Sequence, residues 1–205
     1  MTTTHSNHLL SIVSSESAVI FASGENRLRI AFHSPSIARI TLTQGKPFLD
    51  RPSLIVTSAE RFTGFQLTES PDAFTIATPD LRLEVSKETG AIRYFGADGN
   101  LLLAEPARGG KSLTPKALTR NVFRSQNAIA AAQSIDGARA AAGEFETVFD
   151  RDAFEARLDF QFAENEALFG LGSHEEGYGN LRGKSRHLYQ QNMKMVVPHL
   201  VSTKG

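Results

Sequence analysis

The 205-residue sequence contains no cysteine and no tryptophan. Without cysteine, disulfides, thiolate nucleophiles and Cys-ligated zinc are excluded. Tyrosine is scarce too, at three residues (Tyr94, Tyr178, Tyr189), so fourteen phenylalanines carry nearly all the aromatic content. Phe fills cores, whereas Trp and Tyr offer ligands a flat face with a polar handle. That balance weighs against a stand-alone carbohydrate-binding module built on an aromatic platform. Net charge is also missing, since 22 Lys and Arg balance 22 Asp and Glu. No long-range field then draws the chain to nucleic acid or anionic lipid. No apolar run approaches the ~18 residues of a membrane-spanning helix. The opening MTTTHSNHLLSIVSS has neither the basic nor the apolar region of a secretory leader. The expectation is a soluble cytoplasmic protein: one domain over residues 1–205, long enough for a substantial core.

What is present is alternation. Leu28, Ile30 and Phe32 alternate with Arg27, Arg29 and His33. Ile37, Ile40 and Leu42 follow the break at Ser34-Pro35. Leu81-Arg82-Leu83-Glu84-Val85 alternates strictly, and Leu158, Phe160 and Phe162 alternate with Asp159 and Gln161. Each run predicts a half-buried strand. Turn residues separate them at Gly24-Glu25-Asn26, Ser70-Pro71-Asp72, Thr78-Pro79-Asp80, Thr89-Gly90 and Asp98-Gly99-Asn100. Short strands at this spacing predict an all-β sandwich. Residues 105–121, with Pro106, Gly109, Gly110 and Pro115, read as a long loop. Residues 127–143 are rich in alanine, which favours helix, although Gly137 and Gly143 limit it. A short helix and a mobile excursion both fit that stretch. Val196 to Ser202 reads as a last strand that nothing follows, which points to an incomplete sheet.

The densest segment runs from Phe169 to Gly183, and five glycines fall within residues 170–183. Glycine at that density signals unusual backbone angles and close approach. It does not signal a phosphate loop. Gly170-x-Gly172 is followed by Glu175 where a third glycine belongs, and Gly183-Lys184-Ser185 lacks the first glycine at the required spacing. His174-Glu175-Glu176 lacks the second histidine of a zincin, because position 178 is Tyr. A three-histidine set of His174, His187 and His199 has no known spacing, and local hydrogen bonding is the simpler role for His174. Glu175 and Glu176 are adjacent and cannot flank a scissile bond as a glycosidase pair must. No Gly-x-Ser-x-Gly elbow occurs. No catalytic group, metal or cofactor is therefore expected from this chain.

The last forty residues resemble the family 31 α-glycosidases. The resemblance rests on Glu166-Ala167-Leu168-Phe169-Gly170-Leu171-Gly172-Ser173-His174-Glu175-Glu176-Gly177, then Leu181-Arg182-Gly183-Lys184 and Tyr189-Gln190-Gln191-Asn192. It continues through Val197-Pro198-His199-Leu200-Val201-Ser202-Thr203-Lys204-Gly205. A weaker match covers Thr78 to Val85, Gly90 to Phe95 and Gly99 to Leu102, so that residues from about 10 to 205 fit in order. The resemblance implies a galactose-mutarotase-like β-sandwich (a supersandwich with long loops), the N-terminal domain of such an enzyme. It implies a (β/α)8 catalytic barrel as partner, whose aspartate nucleophile and aspartate acid/base lie beyond residue 205. The chain alone is then expected to be inactive. The resemblance also implies a loop lent to the sugar subsite. Where many members carry an Arg-Asp pair after an aromatic residue, this sequence has Gln191-Asn192 after Tyr189. Gln191, Asn192, His174 and Glu175 are the expected substrate-binding residues, and amides can both donate to and accept from sugar hydroxyls. The departure from the charged pair leaves α-glucosides, α-xylosides and other α-sugars open. The alternative is an independent sugar-binding or aldose-epimerase-like sandwich, for which His33, His174 and Glu84 are the candidates.

Overall fold

Wherever two turn signals bracket an alternating run, the chain forms a strand. The computed structural model describes residues 11–49, 51–52, 56, 61–123, 130–134, 137–141, 145–177 and 179–204. These hold fifteen strands and no helix. Tyr178, Gly205 and parts of the alanine-rich stretch (127–129, 135–136, 142–143) lie outside the described residues.

The first sheet is an antiparallel meander of β1 (Ser11–Ser14), β2 (Ala18–Ser23), β3 (Asn26–Ser34) and β4 (Ile37–Gln44). Gly24 sits at φ 58° in the two-residue β2–β3 turn, where ordinary side chains are strained. The register places Val19, Ile30 and Ile40 in one row and Phe21, Leu28 and Leu42 in the next. Opposed apolar side chains of this kind hold adjacent strands in register. The second sheet is a meander of β5 (Gln66–Glu69), β6 (Ala73–Ala77), β7 (Leu81–Ser86), β8 (Ile92–Gly96) and β9 (Leu101–Ala104). Gly99, at φ 80°, turns β8 into β9, and the Asp98 carboxylate accepts the Asn100 N–H at 3.0 Å. That bond, with the Asn100 side chain, holds Asp98 below the ordinary carboxylate range.

The inward residues of the two sheets form one core. Val19, Phe21, Leu28, Ile30 and Phe32 from the first meet Phe74, Ile76, Leu83, Val85 and Ile92 from the second. Phe21 and Phe74 touch across the interface with ring centroids 5.1 Å apart. Burying each such side chain contributes about 1.5–3 kcal/mol. The Thr78 hydroxyl donates to the Pro35 carbonyl at 2.5 Å, tying the β6–β7 turn to the β3–β4 turn. Tyr94 packs against the core, and burial, followed by the Glu105 carboxylate, pushes its phenol above the ordinary range.

Lys111–Leu158 forms a separate unit. In it, β10 (Lys111–Phe123) pairs with β13 (Phe145–Leu158) as a long antiparallel ribbon, and β11 (Ala130–Ser134) pairs with β12 (Gly137–Ala141). Three expectations are corrected. The long loop expected over 105–121 is limited to residues 105–110, because Lys111 onward is strand. The misleading signal was Pro115. Each strand of a two-stranded ribbon has an open edge, where a residue without an N–H is tolerated. The described parts of the alanine-rich stretch, Ala130–Ser134 and Gly137–Ala141, are paired antiparallel strands rather than a short helix. Alanine's preference is a fraction of a kcal/mol per residue, and a run this short cannot offset helix nucleation. The strand expected at Leu158 to Phe162 also stops early. Over residues 159–162, Gln161 makes an isolated bridge to Ala104.

Candidate functional site

The glycine-rich segment becomes β14 (Leu168–Ser173), paired with β15 (Met195–Ser202), and the site is the loop between them. Gly170, Leu171 and Gly172 all take positive φ, at 112°, 63° and 98°. The ladder shifts register there, from Gly170↔Leu200 to Gly172↔Val196. A Cβ on Gly170 would lie 2.3 Å from the His199 carbonyl oxygen, and one on Gly172 would lie 2.0 Å from that of Met195. The glycines are there for a bulge against a close backbone neighbour.

Below the bulge, the loop is closed at its base. Glu166 is buried and accepts the Ala163 N–H at 2.8 Å. Burial opposes its ionisation, but the Ser202 side chain, the Ala163 N–H, Lys204 and Arg182 outweigh it and hold the carboxyl below its ordinary range. Arg182 donates to the carbonyls of Ala163 (2.6 Å) and Glu166 (3.1 Å). The Asn180 side-chain oxygen accepts the N–H groups of Leu168 and Arg182, both at 3.1 Å. The Leu181 N–H meets the Leu168 carbonyl at 2.7 Å, with the Leu181 side chain buried beneath.

Above the base, the four expected residues lie at two ends of the loop. His174 is half-buried, and its Nε2–H donates to the Leu171 carbonyl at 2.9 Å, which fixes that tautomer. Glu175 is exposed. Gln191 and Asn192 are exposed in a tight turn, Gln191 to Lys194, in which the Lys194 N–H meets the Gln191 carbonyl at 3.2 Å. Met193 takes φ 67° to make that turn. Sequence reasoning missed the residues that hold it. The Gln190 amide donates to the Lys194 carbonyl at 2.8 Å and accepts the Val196 N–H at 3.0 Å. Glu176 is ion-paired with Arg186 at 2.5 Å and with Lys194 at 3.7 Å. The Arg186 side chain is only 6% exposed. The Lys194 ammonium lies 5.8 Å from the Tyr189 ring centroid, and the His187 ring meets Tyr189 at a tilt of 53°, with centroids 4.7 Å apart. A bond from its own N–H, opposed by partial burial, together with Arg186 and Lys194, holds Glu176 below the ordinary carboxylate range. The available signal was one acidic residue and two basic ones at the ends of a glycine-rich loop.

The epimerase candidates stay apart in their bonding. Glu84 is ion-paired to Arg82 and Arg93, within its own sheet, while His174 is held by the Leu171 carbonyl. Among the described residues, no three His, Asp or Glu side chains converge as a metal site.

The profile of the glycosyl hydrolase 31 N-terminal galactose mutarotase-like domain matches residues 27–197. The chain belongs to this family. Solved structures agree on the fold of the domain. It superposes on the glycoside hydrolase family 31 α-xylosidase from Xanthomonas citri with a TM-score of 0.70 at 25% identity, covering 93% of this chain and 18% of that one. A family 31 α-xylosidase from a soil metagenome, in complex with xylose, matches with a TM-score of 0.64 at 20% identity, over 95% and 27% of the two chains. A family 31 dextranase from Flavobacterium johnsoniae matches with a TM-score of 0.64 at 16% identity, over 97% and 21%. The N-terminal domain described here thus spans about a fifth to a quarter of these relatives' length. No helix among the described residues is long and apolar enough to cross a membrane.

Proposed function

We propose that this chain is the non-catalytic N-terminal domain of a retaining α-glycosidase, an α-glucosidase or α-xylosidase, that supports a (β/α)8 catalytic domain. The β14–β15 loop is lent to the sugar subsite, where Gln191 and Asn192 hydrogen-bond sugar hydroxyls and His174 and Glu175 line the loop's other arm. The observation that carries the reading is the family match over residues 27–197. The Xanthomonas citri α-xylosidase, alike in fold at 25% identity, supports the choice of α-glycosides. The loop supports its own role: it exposes two amides on a turn that is held from behind. Chemistry falls to the catalytic domain, because retaining hydrolysis needs two carboxyl groups about 5–5.5 Å apart across the bond. Adjacent, solvent-facing Glu175 and ion-paired Glu176 do not offer that. The enzyme acts in the cytoplasm, with neither nucleic acid nor membrane as partner.

The test is Asn192→Ala and Gln191→Ala in this chain joined to its catalytic domain. With p-nitrophenyl α-xyloside and α-glucoside, KM rises about threefold to tenfold per lost hydrogen bond while kcat changes little. An unchanged KM for both variants on both substrates would remove the loop from the subsite.

A further inference from the structure

The geometry points to Glu176 as the positioning residue of the loop, an assignment that rests on the subsite reading above. The loop leaves β14 at Ser173 and returns at Met195, so its two arms must be tied together if the Gln191–Lys194 turn is to present its amides in one conformation. Glu176 makes that tie. It stands at the outgoing arm and reaches two cations on the returning arm, Arg186 at 2.5 Å and Lys194 at 3.7 Å. Lys194 is itself part of the turn. Its N–H meets the Gln191 carbonyl, its carbonyl accepts from the Gln190 amide, and its ammonium faces Tyr189. One carboxylate therefore bears on the residues on both sides of Gln191 and Asn192. Arg186 is nearly buried and Lys194 is 19% exposed on its side chain. Water screens this pair less than it would an open surface pair. Gln190 fixes the same segment from the other direction, through Val196 at the start of β15. Without Glu176, the turn keeps the Gln190 bonds but loses its anchor to the outgoing arm. Its amides then spread over several conformations, and only a fraction meets the sugar.

Two measurements separate this assignment from the subsite reading. The first uses the chain alone and reads backbone hydrogen exchange at the Lys194 amide, whose N–H closes the turn on the Gln191 carbonyl. Glu176→Gln speeds exchange there about fivefold to tenfold with the melting temperature nearly unchanged. Lys194→Met removes only the Lys194 half of the tie and speeds exchange less, and the double variant is no faster than Glu176→Gln, which already removes both ion pairs. Unchanged exchange in Glu176→Gln overturns the assignment, whatever the sugar contacts prove to be. The second compares Glu176→Gln with Asn192→Ala in the chain joined to its catalytic domain. Both raise KM about threefold or more at nearly constant kcat. A rise for Asn192→Ala without one for Glu176→Gln overturns the positioning role. No rise for Asn192→Ala overturns the subsite reading, and the exchange experiment still decides whether Glu176 ties the loop.

Discussion

A side chain at residue 170 or 172 would collide with backbone that has no room to retreat. A methyl there meets a carbonyl oxygen at 2.3 or 2.0 Å, on a φ that already disfavours it. Gly170→Ala and Gly172→Ala should each cost upwards of about 2 kcal/mol in urea unfolding, beyond the roughly 1 kcal/mol of backbone strain alone. Gly177→Ala is the control. Its φ is 71° but nothing lies within 4 Å, so it should show the strain cost only. The density of glycine was legible in the sequence. So was the close backbone approach it signals; the partner was not, because the clashing carbonyls belong to Met195 and His199 on the returning strand. Glu166 carries a prediction of the opposite kind. Its folded-state value lies below the ordinary 4.5, so the ionised carboxylate stabilises the fold at neutral pH. That contribution is fully present above the ordinary value and is lost as pH falls through the lowered one. Glu166→Gln should therefore be less stable than the parent at pH 7 and lose less on acidification. Melting curves from pH 7 to pH 3 should converge, and parallel curves would contradict the linkage.

Hairpins with short turns were readable, and the ribbon was not. Thr78-Pro79-Asp80 and Asp98-Gly99-Asn100 are local signals, and β6 to β9 follow from them. The pairing of β10 with β13 joins residues more than twenty positions apart, and Pro115 disguised the first strand as loop. Once paired, the ribbon alternates across its width. Phe145, Phe149, Phe154 and Leu158 share one face, while Lys116, Arg120, Glu155 and Arg157 share the other. All four apolar side chains are exposed, Phe149 at 60%. A two-stranded ribbon is marginal by itself in water. Hydrogen exchange should therefore be faster over residues 111–158 than over β2, β3, β6 and β7. The ribbon's two ends also meet, since the Asp159 N–H donates to the Gly110 carbonyl at 2.7 Å. Replacing residues 111–158 with a short glycine linker should leave the double-sheet core folded, with near-native dispersion of its Phe21 and Phe74 ring signals. Loss of that dispersion would mean the core needs the ribbon.

At the scale of the whole chain, the core follows from alternation alone. The inward positions of β3 and β7 are those that periodicity selected, and with Phe74 and Ile76 of β6 they join the core between the two facing sheets. Phe32 is fully buried, so Phe32→Ala should cost about 3–5 kcal/mol, whereas Phe149→Ala should fall within about 0.5 kcal/mol. The subsite role proposed for the loop rests on family resemblance, because Gln191 and Asn192 carry no motif of their own, and Glu176 is singled out only by Arg186 and Lys194 in space. The most direct test of the account is hydrolysis of p-nitrophenyl α-xyloside and α-glucoside by the purified chain, with and without a separately expressed (β/α)8 catalytic domain. The account predicts no turnover from the chain alone and turnover on mixing above that of the catalytic domain by itself. Turnover by the isolated chain would contradict it, and would mean that a carboxylate pair within these 205 residues performs the chemistry.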